Sequence, residues 1–126
     1  MFQFSSIPSF VADGNIYPSR FVAITNDFTV KQSTDTDVPI GVSGQYTRKF
    51  DDDKHAVAGE TVLVFTVGSY CYLHVGANVM PGAYLKPDVN GMGVPASTGD
   101  RVGAIALETA QANSLCRVMV WLGEAP

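Results

Sequence analysis

The residues able to do chemistry are few, and their spacing is wrong for it. The two histidines, His55 and His74, show neither the HxH nor the HExxH spacing of a zinc site. Cys71 and Cys116 each stand in an apolar, strand-like run with no CxxC motif, so they read as two small buried hydrophobes. Ser69 lacks the GxSxG turn of a nucleophile elbow, and no GxxxxGK[ST] phosphate loop occurs. Glu60 and Glu108 are of the type that pairs as acid and base, but nothing in the sequence brings them together. Asp35 and Asp37 lie in the polar run QSTDTD, where Ser, Thr and Asp ordinarily form turns. The string Asp51-Asp52-Asp53-Lys54 invites a calcium reading but has neither the alternating oxygen ligands nor the closing glutamate of an EF-hand loop. It reads as a solvated loop, with Phe50 making it a candidate contact loop. The expectation is a protein with no catalytic residues, no metal site and no cofactor, and so not an enzyme.

The elements that would position any site are strands. From Ala58 to Pro95 the chain reads strand, Gly68-Ser69 turn, strand, Gly76-Ala77-Asn78 turn, Pro81-Gly82 corner and a tight turn at Asn90-Gly91. Leu63, Phe65 and Val67 alternate with Val62, Val64 and Thr66, and both sets are largely apolar, which predicts a strand buried on both sides. Cys71, Leu73 and Val75 alternate with Tyr70, Tyr72 and His74, which predicts a hairpin with the strand before it. Upstream, Phe21–Ile24 and Phe28–Val30 form two short strands joined at Asn26-Asp27, and Val38–Tyr46 is a strand interrupted by glycines. Downstream, Ala83–Lys86 and Arg101–Glu108 are strands. Leu115–Leu122 closes the domain with Cys116, Val118, Val120 and Leu122 inward and Arg117 and Trp121 on the other face. Only Thr109–Asn113 has any plausible helix. The fold class is all-β: a small antiparallel β-barrel or sandwich over residues 20–126, with an extended N-terminal arm over residues 1–19. That arm carries Phe2, Phe4, Ile7 and Phe10, broken by Pro8 and Pro18, and is expected to lie across another subunit.

Composition limits the partners. With 126 residues the chain is expected to be one domain, since halves would be small for a good core. Charged residues make up 16% and the net charge is −4, which argues against a basic face for nucleic acid or an anionic membrane. No run approaches the roughly 18 apolar residues of a membrane span, and the N-terminus has no basic region leading into an apolar core. So little charge implies a surface partly covered by neighbours in an assembly.

Order along the chain adds a resemblance. Gly59-Glu60-Thr61-Val62, Val75-Gly76-Ala77-Asn78-Val79-Met80-Pro81-Gly82-Ala83-Tyr84-Leu85-Lys86-Pro87 and Gly91–Val94 follow one another. Gly99-Asp100-Arg101-Val102-Gly103-Ala104-Ile105-Ala106-Leu107-Glu108 and Arg117-Val118-Met119-Val120-Trp121 come after them. Together they resemble the small capsid decoration (cement) proteins of tailed bacteriophages and prophages. The resemblance implies a virion protein made in the host cytoplasm that sits as a homotrimer on the outside of the major capsid protein shell and stabilises the expanded head. It implies no catalytic residue. On this reading Phe2, Phe4, Ile7 and Phe10 contact capsid or a neighbouring protomer. Tyr70, Tyr72, Arg117 and Trp121, of types enriched at interface centres, form the trimer interface. The alternative is a carbohydrate- or host-surface-binding β-module that uses exposed tyrosine and tryptophan as stacking platforms.

Overall fold

The computed structural model describes residues 9–44 and 55–126, so Phe2, Phe4, Ile7, Phe50 and the Asp51–Lys54 string lie outside the described residues. The chain is all-β and forms two closed five-stranded barrels. The first consists of β1 (Ser9–Ala12), β2 (Phe21–Asn26), β3 (Thr29–Gln32), β4 (Gly41–Ser43) and β5 (Thr61–Phe65), in the cyclic order β1-β3-β2-β4-β5. The second consists of β6 (Tyr70–Val75), β7 (Tyr84–Pro87), β8 (Gly93–Pro95), β9 (Arg101–Ala106) and β10 (Ser114–Glu124), in the order β10-β6-β8-β7-β9. Closure leaves neither sheet an open edge on which to add a stray strand.

Period-two alternation places the side chains. In β6, Leu73 and Val75 are fully buried and Tyr70 and Tyr72 exposed; in β9, Val102, Ala104 and Ala106 are buried. In β10, Cys116, Val118 and Val120 point inward as their spacing predicts. Leu122 does not, because the β10–β9 register shifts between Val120 and Gly123 and turns it out to solvent. In β5, Val62 and Val64 are buried; on the opposite face Leu63 is exposed while Phe65 packs partly against the second barrel's cluster, so the second face is covered only at its end.

Three other expectations are corrected. The Gly68-Ser69 turn does not close a hairpin: β5 pairs with β1 and β4, while β6 pairs with β10 and β8. Each barrel has used both edges of its strands, so the turn carries the chain from one barrel to the other. Residues 9–19 are not a free arm. Ser9–Ala12 lies between β3 (parallel) and β5 (antiparallel), and Ile16 is fully buried and bridged to Ala56. Phe10 packs partly against the first core rather than standing clear. Phe28, expected in a strand, occupies the β2–β3 turn with φ 46° and is 71% exposed.

The two barrels share one seam, which is how two small cores suffice. Phe21 and Val42, from the first barrel's strands, are fully buried in the second barrel's apolar cluster with Leu73, Leu85, Ala104 and Val120. The β7–β8 turn reaches back to meet them. The Phe21 N–H donates to the Gly91 carbonyl at 2.8 Å, and Arg20 Nη1 and Gln32 Nε2 both donate to the Asn90 carbonyl at 2.9 Å. Gly91 has φ 75°, and an added Cβ would lie 2.9 Å from Gln32 Cγ, so the turn requires glycine both for its backbone angle and for the close approach. The His74 N–H donates to the Ser19 carbonyl at 2.7 Å across the same seam. Burial, and after it the charge of Arg20, holds the His74 imidazole below its ordinary pKa.

Candidate functional site

Tyr70, Tyr72, Arg117 and Trp121 all come from β6 and β10 of the second barrel and project from its outer face. Cross-strand pairing sets the layout. Tyr70 lies opposite Met119, Met119 opposite Ile105, and Ile105 opposite Tyr84, giving an apolar row across four strands. In the next row Tyr72 lies opposite Arg117, and the Leu107 N–H donates to the Arg117 carbonyl at 2.9 Å. Tyr70, Cys71, Tyr72, Leu107 and Arg117 line an open depression of about 440 Å³. Trp121 is drawn away from it: its ring lies 5.5 Å from that of Tyr84, beyond Met119.

Arg117 is held in place. Its Nη2 and Nε donate to Glu108 Oε1 at 3.1 and 3.3 Å, and its backbone N–H donates to Glu108 Oε2 at 2.9 Å. Those bonds hold the Glu108 carboxyl below the usual carboxylate range, the backbone N–H contributing most, and push the Arg117 guanidinium up. The depression therefore offers two aromatic faces, a leucine wall and a guanidinium whose Nη1 takes no partner among the described residues.

The carboxylates of Asp37 and Asp100 are tuned in the same direction. Asp37 Oδ2 accepts the Thr34 N–H at 2.9 Å and pairs with Lys31 at 3.1 Å; Asp100 Oδ2 pairs with Lys86 at 2.9 Å and accepts the Ser97 N–H. Both titrate below their ordinary value, Asp37 chiefly through the Thr34 N–H and Asp100 chiefly through Lys86. A carboxyl with a depressed folded pKa stabilises the fold fully above its unfolded pKa and loses that contribution as pH falls through the folded value. The melting temperature is therefore expected to be level only between about pH 7 and 8, to begin falling below about pH 6.5, where the unfolded His74 takes up a proton that the folded imidazole resists, and to fall further below about pH 4 as these carboxyls titrate. Added salt should shrink the difference, since the pairs are solvent-exposed. A melting series in pH that rose on acidification would contradict this assignment.

The other candidates are dispersed. Glu60 belongs to the first barrel, where its Oε1 accepts the Val57 N–H at 2.8 Å, whereas Glu108 belongs to the second. His55 stacks on Tyr17 at 4.7 Å, and His74 Nδ1 contacts Met92 Sδ at 2.9 Å. Asp35 and Asp37 lie in a turn as their composition predicts, and among the described residues no cluster of three His, Cys, Asp or Glu forms. Both cysteines are free thiols. Burial pushes the Cys71 thiol up to about 12 and raises that of Cys116. At pH 7.5 neither should react with iodoacetamide in the folded protein, and both should react after unfolding, as read by intact mass. Rapid single labelling of the native chain would show this environment to be wrong.

Leu107 and Phe28 had no distinguishing mark in the sequence. Leu107 follows the strand alternation of β9, and Phe28 looks like the first apolar residue of β3.

No protein-family model and no curated protein matches the chain. Among solved structures, the fold is similar to that of the head fiber gp8.5 N base of bacteriophage phi29. The TM-score is 0.69 at 17% identity, and the match covers 96% of this chain and 98% of that one. At that identity the likeness is one of fold.

Proposed function

We propose that this chain is a structural protein of a bacteriophage head that binds the outside of the major capsid shell as a homotrimer and stabilises the expanded head, with no catalytic role. The observation that carries the reading is the end-to-end likeness to a head fiber base, which spans both barrels and leaves almost nothing of either chain unmatched. The surface agrees with it. Tyr70, Tyr72, Leu107 and Leu115 on the second barrel and Val11, Ile24 and Phe28 on the first are exposed apolar side chains on closed barrels with no edge left to pair. Such patches serve contact rather than folding. A rigid multivalent clamp must leave all its sites at once for a capsid seam to part, so modest contacts add as avidity.

The test is decoration of expanded heads purified without this protein. Bound protein should co-sediment with them at a fixed ratio and raise their resistance to heat. Deleting residues 1–8 spares β1 and should weaken that binding if the leading aromatics touch the shell. Heads that neither bind the chain nor gain stability would refute the reading. A carbohydrate-binding module is the second reading, favoured by the exposed faces of Tyr70 and Tyr72 beside Arg117. Glycan-array binding that disappears in Tyr72→Ala, without any affinity for heads, would select it.

A further inference from the structure

We propose that the tip of the β2–β3 hairpin, Asp27-Phe28, docks into the Tyr70–Tyr72–Leu107–Arg117 depression of a second copy, so that copies join head to tail. This rests on the homotrimer reading above and names its contact. The tip is built for presentation rather than for folding. With Tyr70, Phe28 is the most exposed aromatic side chain among the described residues. It holds φ 46°, a left-handed conformation that glycine or asparagine adopts readily and phenylalanine does not. Neither backbone preference nor core packing accounts for a phenylalanine there. The ring is not loose either: it rests against Phe10 at 5.8 Å, and the turn beneath is tied by the Asp27 N–H to Asn26 Oδ1 and by Thr29 Oγ1 to the Asp27 carbonyl.

The depression matches the tip in chemistry. Tyr70, Tyr72 and Leu107 give the ring an apolar seat, and the free Nη1 side of Arg117 meets a ring face or the neighbouring Asp27 carboxylate. An exposed carboxylate beside an apolar knob thus faces the open Nη1 side of the Arg117–Glu108 pair beside an apolar hole. The contact is intermolecular by construction. Within one chain Phe28 rests on Phe10, which packs against the first core, and neither Asp27 nor Phe28 lines the depression, so filling it takes a second copy. Because knob and hole are different surfaces of one chain, the interface is heterologous. Such contacts close into a ring when the rotation per copy permits, which for three copies gives the trimer.

Light scattering on the full chain and its variants decides the matter. The parent should run at three times 13.4 kDa, and F28D and L107D should each run at one chain mass with unchanged far-UV circular dichroism. Mixed one to one, the two variants retain one intact hole and one intact knob between them. They should form a species of two chains and no larger ring. F28N, which suits the turn backbone, checks that loss of assembly does not reflect misfolding: it should melt no lower than the monomeric F28D yet fail to trimerise. Variants that stay trimeric would overturn the contact while leaving the homotrimer standing, and trimeric variants that lose head binding would assign the depression to the shell instead. A mixture that stays monomeric would overturn the head-to-tail geometry, and a parent that is monomeric at every concentration would overturn both.

Discussion

Phe21→Ala should destabilise the protein by about 3–5 kcal/mol and lower its melting temperature by roughly 10 °C or more. Phe21 is the largest of the fully buried side chains among the described residues, and it stands on a strand of one barrel while filling the cluster of the other. Its ring lies directly over the backbone at Gly103, where an added Cβ would be 2.5 Å from its Cε1, and beside Pro39. Removing the ring opens a cavity that closed sheets on both sides cannot collapse into. The backbone bonds that Phe21 shares with Gly91 and Ser33 fix its position further. Marginal stability of about 5–15 kcal/mol makes such a loss a large fraction of the total. Since the ring belongs to both halves, denaturant unfolding of the parent should be a single transition seen alike by Trp121 fluorescence in the second barrel and by amide exchange in the first. Two resolved transitions, or a loss under about 1 kcal/mol, would show that the barrels hold together by other means.

Gly41→Ala should cost about 1–3 kcal/mol, concentrated in the first barrel. The added methyl would overlap the Phe65 carbonyl oxygen and sit 2.8 Å from Val64 Cγ1. A flexible side chain could move aside, but a carbonyl in a paired strand cannot. β4 and β5 are tied at Val42–Phe65 and Ser43–Val64, and β4 is only three residues long. Relief means parting those pairs, and β4 is the link between β2 and β5 that completes the ring. Hydrogen exchange should therefore quicken in β4 and β5 and change little in β9 and β10. Gly44→Ala is the control, since its nearest atom would be Leu63 Cβ at 3.4 Å, an ordinary contact. Equal effects at the two glycines would remove the steric argument.

Alternation told which way side chains face, because strand period depends only on neighbours in sequence; β6 and β10 follow it up to the β10 irregularity, and β9 follows it except at Gly103, which is buried under the Phe21 ring. It could not tell which strands meet. Gly68-Ser69 has the composition of a hairpin, yet it joins two closed sheets, because closure is a property of all ten strands and of no local segment. The prolines at 8 and 18 suggested an extended arm, but the four residues of β1 need only a pair of neighbouring strands to accept them, and β3 and β5 do. On the candidate surface, Tyr70, Tyr72 and Arg117 were legible as aromatics and arginine on outward strand positions. The fourth wall, Leu107, came from a strand end, and Phe28 was hidden by looking like a core residue displaced by one.

The closing order of the first barrel has a consequence for synthesis. Its opening strand finds a partner in β5, with Ser9 opposite Leu63, and in β3 alongside. In the second barrel β10 is held between β6 and β9, so its last strand is also its keystone. A nascent chain leaving the ribosome must therefore carry unsatisfied strands until β5 emerges, and again until β10 does. Contacts so far apart in sequence make ring closure slow. Chaperone demand during expression should fall mainly in those two intervals, and truncation just before residue 114 should yield aggregates rather than a folded half.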